Sequence, residues 1–299
     1  MPELLRRLSP VLAALGVTHE VIFVNDASDD NSLCVLTEAA ALDRHLKVIT
    51  MSRAFGPAEC AMAGLAFSKG SAVILMDADL QDPPELIPTL VSGWREGADV
   101  VYTVRTRRHG ETAAKSFFTS LGYRILRAVA NVDLPVEAGD FRLISRRVVD
   151  ELLKLPEHTP YLRGLVAWVG FKQVAVPYER QPRFAGRTHF PLFGSWNPWR
   201  TFLSGLTSFS AAPVVLLLPV GLAVTLGCVL AAVILIAARG RADVPVSVII
   251  EFGLGALIGL QTAGLGLLGT YVGRIYQDVR GRPRYIVESV IGRDDGPVP

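Results

Sequence analysis

The fold is decided by the stretch Ala72-Val-Ile-Leu-Met-Asp-Ala-Asp-Leu-Gln-Asp-Pro-Pro84, where a short apolar run ends in a group of carboxylates. The aliphatic and β-branched residues of the run predict a buried strand, and Pro83-Pro84 is a typical start of a helix. Helical segments separate this run from three similar ones, at Glu20–Asn25, Leu46–Met51 and Asp99–Arg105. Such alternation predicts an α/β domain with a mostly parallel, Rossmann-like sheet and helices on both faces.

Acidic, turn-forming residues follow two of the predicted strands. Asp26 follows the first, and Asp77 and Asp79 follow the third. Ligands of parallel sheets bind beyond the carboxyl ends of the strands, so we expect the chemistry there. Two carboxylates at positions i and i+2 supply hard oxygen ligands that suit Mg²⁺ or Mn²⁺. The structural alternative is a turn or a helix cap, the role that we expect for Asp82 before Pro83-Pro84.

Two long apolar segments near the carboxyl terminus predict a hairpin of transmembrane helices. The glycines of the second segment favour close helix contacts, so we expect a homo-oligomer. The arginines at 274–284 follow the hairpin, and the positive-inside bias then places both flanks in the cytoplasm. No signal peptide is evident, and the expected location is the inner (plasma) membrane, with a multi-pass chain and a cytoplasmic catalytic domain.

The expected organisation has five parts. They are a catalytic domain (1–190), an interfacial amphipathic segment (191–210), transmembrane helices (211–238 and 248–273) and a cytoplasmic basic tail (274–299). A further amphipathic stretch, 113–129, suits either a membrane interface or packing on the sheet. The net charge of +2 is too small to indicate a nucleic-acid partner, and the three widely spaced cysteines favour a reducing compartment.

Four motifs occur in order along the chain: Val24-Asn-Asp-Ala-Ser-Asp-Asp30, Met51-Ser-Arg-Ala-Phe-Gly56, Met76-Asp-Ala-Asp-Leu-Gln-Asp-Pro-Pro84 and Gly139-Asp-Phe-Arg-Leu143. Together they resemble the family 2 inverting glycosyltransferases of the GT-A fold, in the polyprenyl-phosphate branch that includes dolichol-phosphate-mannose-synthase-like enzymes. Bacterial membrane-anchored members of that branch end in two transmembrane helices and a segment similar to Gly281-Arg-Pro-Arg-Tyr-Ile-Val287. The resemblance covers nearly the whole chain.

The resemblance also implies roles for individual residues. Asp77, Asp79 and Gln81 would hold the divalent metal and the diphosphate of a nucleotide sugar. Asp26 would contact the nucleoside, and Arg163 and Arg183 would contact phosphate. Asp79 and Asp140 are the candidate catalytic residues, Asp140 facing the sugar. Many relatives carry lysine where His189 stands here, so the charge at that position depends on pH near ~6.5.

The implied reaction transfers a sugar, with UDP-glucose as the expected donor, to a polyprenyl (undecaprenyl-type) phosphate for cell-envelope glycosylation. A phosphate monoester is largely dianionic at pH 7, since its second pKa is ~6, so positioning by Asp140 is favoured over base catalysis. The structural alternative for Asp140 is a turn or a cap after Gly139. A processive polysaccharide synthase is less favoured, because the chain lacks a Gln-x-x-Arg-Trp motif.

The amino-terminal end departs from the family pattern. Relatives begin with a strand that bears a Pro-x-Tyr-Asn-Glu-type motif, whereas Met1 already stands at the helix that should follow it. The expectation is that the first strand is missing, through a mis-called start or a truncation, and that the run Val21–Val24 lacks a neighbour. The alternative function is therefore a truncated or inactive membrane-bound GT-A subunit that binds a partner or a lipid-linked sugar.

Overall fold

The computed structural model describes residues 1–107, 138–157, 161–179, 212–237 and 245–292. The strands in this part of the chain are β1 (Val21–Asn25), β2 (Leu46–Met51), β3 (Ala72–Leu75), β4 (Val100–Arg107), β5 (Ala138–Ser145), β6 (Gln173–Glu179) and β7 (Val287–Ile291). The α-helices are α1 (Pro2–Ala14), α2 (Ser32–Leu42), α3 (Pro57–Phe67), α4 (Ile87–Arg95), α5 (Arg146–Lys154), α6 (Leu162–Trp168), α7 (Ala212–Ala237) and α8 (Val246–Val279). A 3₁₀ turn, Pro84–Leu86, precedes α4.

The strands form two sheets. One has the order β1-β2-β7 and the other β3-β5-β4-β6. The pairs β1·β2 and β4·β6 are parallel, whereas β2·β7, β3·β5 and β4·β5 are antiparallel. The predicted α/β class is confirmed, but the prediction of a mostly parallel sheet is wrong for the described strands. The reason is that β5 and β7 enter their sheets against the direction of their neighbours.

Both faces of the four-stranded sheet are covered. Val100 and Ile144 face one cluster with side chains of α3, α5 and α6, and Val101 and Leu143 face a second cluster with α1 and α4. Adjacent residues of one strand belong to opposite clusters because strand side chains alternate between faces. Helices on both faces were predicted from the alternation of apolar runs.

One edge of β1 and one edge of β3 have no pairing partner among the described strands. β1 pairs with β2 on one side, and β3 pairs with β5 on one side. Both strands are apolar but mostly half-buried, whereas every residue of β2 between them in sequence is buried. The absence of a neighbour for Val21–Val24 beyond the described strands stays a prediction.

The two apolar segments near the carboxyl terminus form the antiparallel helices α7 and α8. A Cβ atom placed on Gly264 would lie 3.6 Å from Leu217 Cδ1, which places the middle of α8 beside the start of α7. Within the described ranges, no helix combines the length and the apolar character that crossing a bilayer demands. The prediction of transmembrane helices at 211–238 and 248–273 is therefore not supported; Glu251 puts a carboxylate inside the second range.

The segment predicted as a basic tail returns to the catalytic domain. After α8, β7 pairs antiparallel with β2, with Val48 opposite Ile291 and Met51 opposite Val287. The start of β7 therefore lies at the carboxyl end of β2, and Ser52 N–H donates to Ile286 O at 3.0 Å. The predicted interfacial segments at 113–129 and 191–210 lie outside the described residues.

Candidate active site

The loop after β3 carries Asp77, Asp79 and Gln81 in a fixed conformation. The backbone N–H of Gln81 donates to Asp79 Oδ1 at 3.0 Å, which closes a tight turn around that carboxylate. Leu80, between them, is buried and has a φ of 60°. Non-glycine residues seldom adopt this left-handed conformation, so the burial of the Leu80 side chain must compensate for the strain. Asp77 is exposed and Asp79 is half-buried at the rim of the turn.

Asp82 anchors the other end of the same loop. Its side chain is 1% exposed and accepts a hydrogen bond from the Tyr178 hydroxyl on β6. The predicted capping role is wrong, because Pro83 occupies the cap position of the 3₁₀ turn and no side-chain cap bond forms there. Asp82 instead ties the loop to a strand about a hundred residues later, a contact that no local pattern of the sequence predicts.

Asp140 lies within β5, at the same end of the sheet as Asp77. Leu75 of β3 is opposite Arg142 of β5, so Asp77 and Asp140 each stand two residues beyond this pair at the same end. The Asp140 carboxylate forms an ion pair with Arg163 of α6, whose Nε is 2.6 Å from Oδ1. The turn or cap alternative for Asp140 is wrong, since the residue belongs to a strand.

A second arginine, which we did not predict as a site residue, lies beneath Asp140. Arg142 is 3% exposed, and its Nη2 donates to Gly139 O at 2.7 Å. Burial lowers the pKa of Arg142 to about 10, and the nearby Asp140 charge opposes that shift. Its Nε has no hydrogen-bond partner among the described groups. The sequence did contain one sign of this role: a single arginine inside an apolar strand. Charged side chains are rarely buried unless they are paired or hydrogen-bonded.

Asp26 joins the end of β1 to the loop that follows β2. Its two carboxylate oxygens accept the backbone N–H groups of Phe55 and Gly56, at 2.7 and 2.9 Å. Burial, and then the Asp26 charge, raise the pKa of the Cys60 thiol to about 12. Asp26 therefore organises the motif Met51–Gly56, and its contact with a nucleoside stays a prediction.

The carboxylates after β3 supply part of the oxygen ligands that a divalent cation needs. No group of three or more histidine, cysteine, aspartate or glutamate side chains with metal-ligand geometry occurs in the described part of the chain. Asp77 and Asp79 still fit Mg²⁺ or Mn²⁺, because Mg²⁺ binds through one or two carboxylates, keeps several waters and takes substrate phosphate oxygens. Of the other predicted residues, Arg163 is in place beside Asp140, whereas Arg183 and His189 lie outside the described residues.

The α/β domain with acidic residues at one end of its sheets thus has the architecture of a GT-A enzyme. Residues 2–153 match the family described as glycosyl transferase family 2. The chain is 39% identical to an uncharacterized glycosyltransferase of Synechocystis, over 98% of this chain and 92% of the relative. It is also 39% identical to an uncharacterized glycosyltransferase of Bacillus subtilis, over 97% and 90%.

A third relative has a more specific name. The prophage bactoprenol glucosyl transferase homolog of Escherichia coli is 34% identical over 91% of this chain and 88% of its own length. The protein belongs to glycosyl transferase family 2.

Proposed function

We propose that this glycosyltransferase moves a sugar from a nucleotide-sugar donor, UDP-glucose in the first instance, to a polyprenyl phosphate. The proposal is based mainly on one observation. Asp77, Asp79 and the ion pair Asp140–Arg163 lie at the same end of the paired strands β3 and β5. The acceptor class is supported by the name of the Escherichia coli relative. The glucosyl name of that relative also favours the donor.

In the proposed reaction, a phosphate oxygen of the acceptor attacks C1 of the sugar with inversion. The bond between C1 and the diphosphate oxygen breaks, and its electron pair leaves with the nucleoside diphosphate. A Mg²⁺ or Mn²⁺ ion held by Asp77, Asp79 and Gln81 would neutralise charge on that leaving group. Arg163 supplies a further positive charge beside the site, and Asp140 orients the sugar.

The acceptor phosphate explains why a strong base is unnecessary. Its second pKa is ~6, so the attacking oxygen is already ionised at neutral pH. Asp140 is also engaged by Arg163 from α6, which sets the direction of its carboxylate oxygens. We therefore assign Asp140 to positioning.

We further propose that the α7–α8 hairpin associates with the plasma membrane, with the catalytic domain on the cytoplasmic side, and that the protein is a homo-oligomer. The support is the exposed apolar surface of both helices, including Leu226 and Ile234 on α7 and Leu254 and Leu265 on α8. Large exposed apolar patches of this kind mark lipid or protein contacts. Association with lipid would bring the site to the level where a polyprenyl phosphate presents its headgroup.

The test is a donor screen with full-length protein in membranes that contain polyprenyl phosphate. We expect release of nucleoside diphosphate and labelled lipid with UDP-glucose, loss of both with EDTA, and recovery with Mg²⁺ or Mn²⁺. Asp77→Asn/Asp79→Asn should lower turnover at least about 100-fold, whereas the control Asp150→Asn, an exposed change on α5, should not. No release with any donor would favour the non-catalytic subunit.

A further inference from the structure

The segment between α8 and β7 brings positive charge to the edge of the candidate active site. We call Arg280–Ile286 the basic arm. It contains Arg280, Arg282 and Arg284 and no acidic residue. The hydrogen bond from Ser52 N–H to Ile286 O and the pairing of Met51 with Val287 place the arm beside the carboxyl end of β2.

Three arginines, Arg53, Arg282 and Arg284, give this region positive charge. Arg53, two residues after Met51, is exposed and stacks on the Phe55 ring at 3.9 Å. Arg282 is exposed and Arg284 is half-buried. Among the described residues, no carboxylate forms an ion pair with any of these three arginines. The surface therefore attracts anions, and guanidinium groups bind phosphate oxygens in pairs.

One side of the arm continues into an exposed apolar surface. Ile275, Tyr276 and Val279, in the last turns of α8, are 61%, 61% and 80% exposed. Arg280 follows at once, with its guanidinium 5.6 Å from the Tyr276 ring centre. Apolar and aromatic side chains next to arginines are typical of surfaces that contact lipid headgroups. The neighbouring surface thus indicates an anion that carries a hydrocarbon tail.

The end of the arm is anchored on the core of the domain by Tyr285. Tyr285 packs on the core cluster that also holds Leu75 of β3 and Leu162 of α6. Leu162 adjoins Arg163, the partner of Asp140, and Leu75 is two residues before Asp77. Arg282 and Arg284 therefore lie just before a side chain that packs on the same core cluster as Leu75 and Leu162.

We propose that Arg282 and Arg284, together with Arg53, bind the phosphate monoester headgroup of the lipid acceptor at the edge of the site. This inference rests on the proposed function and specifies where its acceptor would bind. The hydrocarbon tail would lie along Ile275, Tyr276 and Val279, and the headgroup would point towards Asp140. Binding forms no covalent bond and uses only charge and hydrogen bonds.

The test uses full-length protein in a mild nonionic detergent and four probes: farnesyl phosphate, farnesol, inorganic phosphate and UDP. We expect the wild type to bind farnesyl phosphate more tightly than farnesol or inorganic phosphate. In Arg282→Gln/Arg284→Gln, the Kd for farnesyl phosphate should rise at least about tenfold while the Kd for UDP stays within twofold. Arg282→Lys/Arg284→Lys should keep part of the affinity for farnesyl phosphate, because it retains both charges but lacks the planar guanidinium forks.

The matched control is Arg95→Gln, which removes an exposed arginine from the end of α4 and should leave every Kd unchanged. An unchanged Kd for farnesyl phosphate in the double variant would overturn the inference, as would an equal rise for UDP, which would assign the arm to the nucleotide. Binding is measured without transfer, so a wild type that binds farnesyl phosphate through these arginines yet transfers no sugar would refute the proposed function alone.

Discussion

Arg163 of α6 holds Asp140 of β5 at two points, with Nε 2.6 Å from Oδ1 and Nη2 bonded to Oδ2. The pair joins α6 to β5 and fixes the carboxylate in one orientation. A two-point contact between guanidinium and carboxylate is stronger and more directional than a neutral hydrogen bond. This geometry favours a carboxylate that orients a substrate.

The first prediction concerns Asp140→Asn. We expect transfer to polyprenyl phosphate to fall about 10- to 100-fold, the loss of one charge-assisted hydrogen bond, with the shape of the pH–rate profile retained. The measurement is kcat at saturating donor and acceptor from pH 5 to pH 9. A variant that loses the acidic limb of the wild-type profile would instead identify Asp140 as a general base.

The second prediction concerns Tyr178→Phe. The change leaves the buried Asp82 carboxylate without the Tyr178 hydroxyl, at a cost of about 1–3 kcal/mol in stability. Since Asp82 closes the loop that carries Asp77 and Asp79, the affinity for Mn²⁺ should fall as well. Thermal unfolding in detergent and a Mn²⁺ titration followed by electron paramagnetic resonance measure the two effects.

The control for Tyr178→Phe is Tyr276→Phe, which removes a hydroxyl from an exposed ring on α8. It should change neither the unfolding temperature nor the Mn²⁺ titration. If Tyr178→Phe lowered stability but left Mn²⁺ affinity intact, Asp82 would hold the fold without positioning the metal loop.

Local patterns predicted the local structure well. β2 has the bounds that the sequence predicted, because an apolar run with β-branched residues is determined by nearby residues. The acidic turn after β3 was also predicted, since carboxylates next to prolines leave few other structures. These features depend on side chains only a few positions apart.

Contacts between distant segments were not predictable in the same way. β7 pairs with β2 across most of the chain length, and its sequence Val-Glu-Ser-Val-Ile is too short to identify as a strand by itself. The contacts of Asp82 with Tyr178 and of Asp140 with Arg163 likewise join separate elements. Such partners are set by tertiary packing, which hydrophobic periodicity does not encode.

The third prediction concerns pH and Asp99, which is buried where β4, β5 and β6 meet. Its carboxylate accepts bonds from Arg147, from Ser145 Oγ at 3.2 Å and from Lys172 N–H at 3.4 Å. The Arg147 guanidinium, in the first place, holds the pKa of Asp99 below its ordinary value. A lowered pKa stabilises the fold above the ordinary value of ~4, and that stability is lost as pH falls through the folded-state pKa.

Asp99→Asn should therefore lower the free energy of unfolding by about 2 kcal/mol at pH 7. This difference from the wild type, the stability gap, should narrow as the pH is lowered from 5 to 3. Denaturant unfolding in detergent at pH 7, 5, 4 and 3 measures the gap. The exposed change Asp150→Asn serves as the control and should produce almost no gap at any of these values. A stability gap of constant size down to pH 3 would mean that the charge of Asp99 does not contribute to the free energy of unfolding.

The fourth prediction concerns Gly292, the residue that follows β7. Its φ is 119°, and a Cβ atom there would lie 2.6 Å from Leu46 O and 3.1 Å from Lys47 Cα. Gly292→Ala combines an unfavourable backbone conformation with a clash against the backbone of β2, so the end of β7 must separate from β2. We expect faster amide hydrogen exchange at Val48 and Ile291 and a stability loss of about 2 kcal/mol or more.

Gly16→Ala is the matched control, because Gly16 has a φ of 62° but open space around its Cβ position. It should cost only the backbone strain, about 1 kcal/mol, without a change in exchange at β2 or β7. Equal losses in the two variants, with no local change in exchange, would show that the close approach of Gly292 to Leu46 does not hold β7 in place.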